Sequence, residues 1–234
     1  MNYPVNPGKN AIKVFEGADY LRLPVRTPVI KYGDDLAKTV SDAIAGTVEK
    51  GDILFISEKA VACTQKGRAI PLEEIKPRKL AYKLSKYVTK TPAGIGLGMP
   101  ETMEMALREC GVLRILFAAF VGAVGRLFHR KGWFYRIAGK KAAGIDGPCH
   151  YTLPPYNHYV VLSPKAPKKT AQKLSDALGY PLAIIDANDF GIEILGASKG
   201  CPGKKALCAM LRDNVLGQSD EQTPVGILRR ISRE

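Results

Sequence analysis

Asp186-Ala187-Asn188-Asp189 packs two carboxylates and an amide into four residues. The apolar, partly β-branched run 182–185 before it reads as a buried strand, and 192–197 after it reads as a second strand. Oxygen-rich side chains at the end of a buried strand are the ligands that a hard cation takes. Asn and Asp are also ordinary turn formers, so the same residues could simply reverse the chain. Composition tips the balance toward ligation. Acids are scarce, 22 against 35 Lys and Arg, for a formal charge of +13. Two aspartates set together in so basic a chain suggest an anionic ligand bridged by metal.

Other residues with chemical potential are more scattered. Lys59 follows the apolar run 53–56 at the point where a strand gives way to a loop, which is where α/β proteins put ligand contacts. A lone lysine there also reads as a surface charge. Asp146 is the single aspartate of a tight turn, 143–148, and 216–227 is a polar loop opening at Gly217 and entering a last strand that ends in Arg229 and Arg230. Gly94, Gly96 and Gly98 alternate in a way that could bring backbone amides to phosphate. Their spacing is neither the Walker pattern nor the dinucleotide fingerprint, so the stretch reads as a flexible loop.

Five cysteines without CxxC spacing argue against both a disulfide scaffold and a structural zinc site, and fit a reducing cytoplasm. The three histidines show no metal-binding spacing and read as structural or surface groups. No Ser, Cys or His triad is visible.

The elements that must position these residues follow from periodicity. With 46% hydrophobic and 24% charged residues, the chain is globular and long enough to bury a substantial core. A strand is expected at 11–15. A helix is expected from Gly33-Asp34-Asp35, capped by Asp34 and carrying Leu36, Val40 and Ile44 on one face. Residues 76–90 read as a basic helix with Leu80, Leu84 and Tyr87 together, 100–110 as another helix, 159–162 as a strand and 170–178 as a helix.

The most apolar stretch is 111–139. Its uninterrupted run between Arg114 and Arg126 falls short of the roughly 20 residues that cross a bilayer, so no transmembrane segment is expected. Trp133, Phe134 and Tyr135 interleaved with Arg126, Arg130, Lys131 and Arg136 would suit a membrane surface. A buried or dimer-forming helix followed by a basic loop is the favoured reading. The N-terminus lacks the apolar core of a secretory signal. With no helix-turn-helix, RNP or zinc-finger pattern, nucleic-acid binding would rest on charge alone and is not expected.

Several of these pieces, in this order, resemble the gamma-glutamyl ligases that add glutamate to the precursor of the deazaflavin coenzyme F420. The carriers are Pro28 to Leu36, with its Gly-Asp-Asp-Leu; Gly51 to Lys59, followed by Gly67-Arg68; Ala143-Gly144-Ile145-Asp146; residues 184–196; and Gly217-Gln218 with Glu221 and Pro224. The resemblance spans most of residues 26–230. It departs at Cys63, where the family has a lysine and Lys66 stands nearby, at 186–189, which replace an Asp-Thr pair, and over 91–142.

The resemblance implies an α+β fold in a single gamma-glutamyl ligase-like domain, 1–234, with a helical and basic insertion at about 91–142. It also implies a cytoplasmic homodimer. The implied substrates are L-glutamate, an anionic cofactor precursor and a nucleotide, GTP or ATP, with a divalent metal (Mg or Mn) and a monovalent cation. Metal ligation would fall to Asp146, Asp186, Asp189 and Gln218, and catalytic roles to Lys59, Asp146 and Asp186. Nucleotide contacts would come from Pro28, Val29, Ile30, Ser57 and Lys59 and from Gly217, Gln218, Ser219, Glu221, Thr223 and Pro224.

Overall fold

A computed structural model describes residues 5–88, 96–130, 132–188, 191–217 and 219–231. Its elements mix helix and sheet, as expected for an α+β protein. Contacts divide the chain into two compact units, Met1–Lys66 with Pro164–Glu234, and Gly67–Ser163. The stretch 91–142 falls inside the second.

The first unit opens with β1 (Ile12–Phe15), β2 (Ala18–Val25), α1 (Leu36–Ile44), β3 (Ile53–Ser57) and α2 (Glu58–Thr64). The second contains β4 (Ala69–Pro71), α3 (Lys79–Ser85), α4 (Pro100–Cys110), α5 (Val112–Leu127), α6 (Trp133–Ala138), α7 (Lys140–Ala143) and β5 (Tyr159–Val161). The chain then completes the first unit with α8 (Pro167–Leu178), β6 (Leu182–Asn188), β7 (Gly191–Ala197), α9 (Lys204–Leu211) and β8 (Val225–Ile231).

Six strands of the first unit form one sheet in the order β1-β2-β8-β3-β6-β7. Among the described residues only β3 and β6 run parallel, from Leu54↔Leu182 to Ser57↔Ile185. Both are apolar on two sides because both faces of the sheet are covered. Leu54, Ile56, Leu182 and Ile184 pack with Val40 and Ile44 of α1 and with Ala171 of α8. Phe55, Ala183 and Ile185 pack with Leu207 and Met210 of α9. Across β3 and β8, Gly226 pairs with Phe55, and a Cβ on that glycine would lie 2.1 Å from the Phe55 ring. The ring occupies the space a side chain would need.

The helix at 36 is capped by Asp35, which accepts from the Lys38 N–H. Asp34, the expected cap, instead accepts from Lys31 N–H at 2.7 Å and closes the preceding turn. Residues 186–188 are not a turn: they extend β6 and pair with β7, with Asp186 opposite Glu193 and Asn188 opposite Gly191. Asp189 lies outside the described residues.

In the second unit β4 and β5 form a two-stranded ribbon beside the helices. Leu97, Met103, Leu107, Ile115 and Leu162 are buried together. Of the basic helix expected over 76–90, the described residues 76–88 are helical at Lys79–Ser85, and 89 and 90 lie outside the described residues. Pro77 disfavours helical geometry at Lys76 and so delays the start. Tyr87 is 70% exposed rather than sharing a face with Leu80 and Leu84. Of the alternating-glycine stretch only 96–98 are described. The segment 111–139 opens as a helix, as expected, but of α5 only Ile115, Ala118 and Gly125 are buried. Beyond α5 the chain forms two short helices, α6 and α7, rather than a basic loop.

Candidate functional site

Strand directions gather most of the predicted residues of the first unit at one end of its sheet. Antiparallel pairing sets Val25, the last residue of β2, beside Val225, the first of β8. Val225 also pairs with Ile56 of β3, and parallel pairing sets Ser57 beside Ile185. The carboxyl ends of β2, β3 and β6 therefore meet the start of β8. Segment 26–30, Ser57 to Lys59, Asp186 and the loop leading to Pro224 all emerge there. Ligands of open α/β sheets bind beyond such strand ends.

Hydrogen bonds tie these segments to one another. Ser57 N–H donates to the Pro224 carbonyl at 2.8 Å. Thr27 N–H donates to the Gln222 carbonyl at 3.2 Å, and the Gln222 amide donates back to the Thr27 carbonyl at 2.6 Å. Pro28 is exposed and Val29 half-buried, while Ile30 plugs into the core.

The loop before β8 is braced from within. The Asn6 amide donates to the Val215 carbonyl at 3.0 Å and to the Thr223 hydroxyl at 2.8 Å, and that hydroxyl donates to the Leu216 carbonyl at 2.7 Å. The Asn214 amide donates to the Gly217 carbonyl, and Ser219 N–H donates to the Glu221 carboxylate at 2.7 Å. Gly217 has φ +82°, and a Cβ there would sit 2.4 Å from the Glu221 carboxyl carbon. Backbone conformation and close approach thus both call for glycine. Gln218 lies outside the described residues.

Buried Arg22 anchors the start of this loop. It donates to the Met210 carbonyl at 3.1 Å and to both oxygens of Asp213, one of them at 2.9 Å. Partial burial alone would raise the Asp213 pKa, but the hydrogen bond and charge of Arg22 outweigh it and hold the group below its ordinary value.

Lys59 is exposed on the first turn of α2, since β3 passes directly into that helix rather than into the expected loop. Its neighbour Glu58 is 4% exposed, a carboxylate absent from the residues expected at the site. The signal was available, because Glu58, Val61 and Ala62 share one helical face and all three are buried.

Glu193 is a second carboxylate that sequence reasoning missed. Directly opposite residues of an antiparallel pair share a face, so the Asp186 and Glu193 side chains lie on one side of the hairpin. Ile185, Ile194, Ala187 and Ile192 fill the other side, against α9. Only the hairpin register could reveal this pair. Among the described residues no three His, Cys, Asp or Glu side chains converge. Two carboxylates suit Mg2+ or Mn2+, which bind one or two of them and take remaining ligands from phosphate and water. On this chemistry Asp186 and Glu193 fit part of a divalent cation's ligand set and not the whole of it.

Asp146 belongs to the second unit. Its N–H donates to the Val161 carbonyl at 2.8 Å and its carbonyl accepts from Val161 N–H at 2.9 Å, so the predicted turn is pinned to β5. The glycine two positions before it has a local cause: a Cβ on Gly144 would lie 1.9 Å from the Ser163 hydroxyl oxygen. Lys59, Asp186 and the 217–224 loop belong to the first unit.

The family model described as F420-0:Gamma-glutamyl ligase matches residues 24–184. That stretch contains Pro28 to Ile30, Ser57, Lys59 and Asp146, and ends before Asp186 and the Gly217 loop. No curated protein matches the chain.

Proposed function

The chain belongs to the F420-0:gamma-glutamyl ligase family, and on that premise we propose that it joins L-glutamate to a carboxylate of an F420-0-like precursor at the expense of a nucleoside triphosphate. A glutamate ligase role is what the family supports. The finer reading rests on one observation: segment 26–30, Ser57 to Lys59 and the 217–224 loop emerge at one end of one sheet, tied by backbone hydrogen bonds.

In this reading the γ-phosphoryl group of GTP or ATP passes to an acceptor carboxylate oxygen, leaving the nucleoside diphosphate and an acyl phosphate. The amine of glutamate attacks the acyl carbon, phosphate departs, and the amine loses a proton. A divalent cation, Mg or Mn, supplies charge neutralisation on the phosphates. Asp186, with Glu193 opposite it, and Asp146 are the carboxylates to be tested as its ligands, each by itself. Lys59 offsets phosphate charge, and the braced loop at Gly217 holds the nucleotide with few rearrangements. The excess of Lys and Arg suits a protein whose substrates are all anionic. A homodimer and a cytoplasmic location are part of the same proposal.

The test combines purified protein with GTP or ATP, Mg or Mn, L-glutamate, and either F420-0 or a folate-like pterin carboxylate, and follows product mass and nucleotide turnover. Melting temperature with and without nucleotide and metal, for the native protein and Asp146→Ala, runs beside it, because a ligand that binds only the folded state raises that temperature. Amide product with one acceptor and metal-dependent nucleotide stabilisation weakened in Asp146→Ala are expected. No product with either acceptor and no nucleotide stabilisation would overturn the proposal.

A further inference from the structure

Helix α5 is apolar around nearly its whole circumference, yet only one side of it is covered. Ile115 and Ala118 are buried, and Gly122 and Gly125 admit Phe134 and Trp133 so closely that a Cβ at either would lie 3.1 Å or less from α6 or its approach. On the opposite side Leu113 is 84% exposed, Phe117 57%, Phe120 65% and Leu127 80%. At 3.6 residues per turn these four fall within roughly 80° of one another, a single stripe along the helix. Phe128, 68% exposed, continues it past the helix end. A helix that is apolar on all sides is ordinarily buried on all sides.

Charge says what covers the stripe. Between Gly111 and Ile145 the sequence has seven lysines and arginines, Arg114 through Lys141, and no Asp or Glu. Arg114, whose Nε donates to the Ile137 carbonyl, and Arg126 are exposed at the two borders of the covered side, and Arg130 lies just beyond the helix end, exposed. A second copy docked here through a two-fold axis would set this cationic patch against itself, since such interfaces place the same surface on both sides. Nucleic acid would answer the charge and leave the phenylalanines and leucines unburied. An anionic lipid surface answers both, because acyl chains take the apolar stripe and headgroups take the flanking cations. At 1.5 Å per residue the helix is about 24 Å long, short of the ~30 Å hydrocarbon core, and its other side is committed to the protein. It fits the plane of the interface rather than a crossing.

We propose that the second unit docks on anionic phospholipid through the exposed face of α5, from Leu113 to Phe128. This rests on α5 and its charge, not on the ligase reading.

Co-sedimentation with vesicles of pure phosphatidylcholine and of phosphatidylcholine with a third phosphatidylglycerol tests it. The native protein is expected to bind the anionic vesicles at least tenfold more tightly and to lose much of that preference in high salt. Phe117→Glu with Phe120→Glu should abolish binding while leaving the melting temperature near that of the native protein. Arg126→Glu with Arg130→Glu should weaken it about fivefold or more per residue, at roughly 1 kcal/mol for each basic group. Absence of native binding to anionic vesicles, or equal binding to neutral ones, would overturn the proposal without recourse to any variant. So would a concentration-dependent dimer that Phe117→Glu with Phe120→Glu dissolves, or retention on DNA in place of vesicles.

Discussion

Asp186 and Glu193 stand directly opposite one another in the β6–β7 hairpin, with their side chains on the face away from Ile185 and Ile194. Like charges so placed are destabilising by roughly 0.2–1 kcal/mol, and a divalent cation between them reverses the sign. Mn2+ with nucleotide is therefore expected to raise the melting temperature of the native protein. Asp186→Asn should lose most of that rise and Glu193→Gln at least half, while metal-free Glu193→Gln should be slightly more stable than the native protein, by up to about 1 kcal/mol. Equal metal-induced rises in all three proteins would remove the pair from the cation site.

Gly217→Ala tests whether the loop is built or merely present. A side chain at φ +82° costs about 1–2 kcal/mol, and the Cβ would displace the Glu221 carboxylate that accepts from Ser219 N–H. Urea unfolding should show a loss of that size, and nucleotide titration an affinity reduced about tenfold. Unchanged affinity would place nucleotide binding away from this loop.

The Gly226–Phe55 pair gives a prediction about the core. With the ring 2.1 Å from where a Cβ would be, Gly226→Ala should destabilise by at least ~3 kcal/mol, or prevent folding. Phe55→Ala alone should cost about 3–5 kcal/mol by emptying the space. The double variant should be at least ~1 kcal/mol more stable than the two costs summed, since the alanine methyl then enters a vacant position. Strict additivity in denaturant unfolding would count against this packing.

Acid stability follows from two carboxylates held by arginines. Burial pushes Glu104 upward, but hydrogen bonds from Arg78 and Arg108 more than offset it, and its pKa is lowered, as is that of Asp213 beside Arg22. A carboxyl whose folded pKa is depressed contributes stability that is present above its unfolded value. That contribution is lost as pH falls through the folded one. The ordinary values are 4.5 for Glu104 and 3.8 for Asp213, so the loss should begin near pH 4.5 and continue below it. Asp213→Asn leaves the fully buried Arg22 without its carboxylate. The cost should be about 2 kcal/mol at neutral pH, less than for a wholly buried pair because Asp213 retains solvent. The variant's stability should also vary less between pH 5 and pH 3. A variant as acid-sensitive as the native protein would show that other groups govern the effect.

Local rules carried much of the fold. Apolar runs marked β3, β6 and β7, and Leu36, Val40 and Ile44 at a spacing of four marked α1, because burial of one face leaves a period in the residues themselves. They were least reliable at element ends, where neighbouring residues compete. Asp34 and Asp35 can both cap, and only the backbone geometry awarded the helix to Asp35. The helix expected over 76–90 includes Pro77, ahead of its apolar residues Leu80, Leu84 and Tyr87, and the helix itself starts after the proline, at Lys79.

Family membership and basic character are legible along the chain, the first in ordered motifs such as Ala143 to Asp146 and the second in composition. Which residues become neighbours is set by folding. That Asp186 faces Glu193 depends on the register of a hairpin, since a slip of one residue would send either side chain to the other face. That Ser57 meets Pro224 and Thr27 meets Gln222 depends on strand direction across β2, β8 and β3, whose paired residues lie more than 150 apart in the chain. Whether the apolar stripe of α5 is inside or outside depends on which of its faces the rest of the unit covers. Such relations between distant segments leave no period along the chain, so they exist only once it has folded.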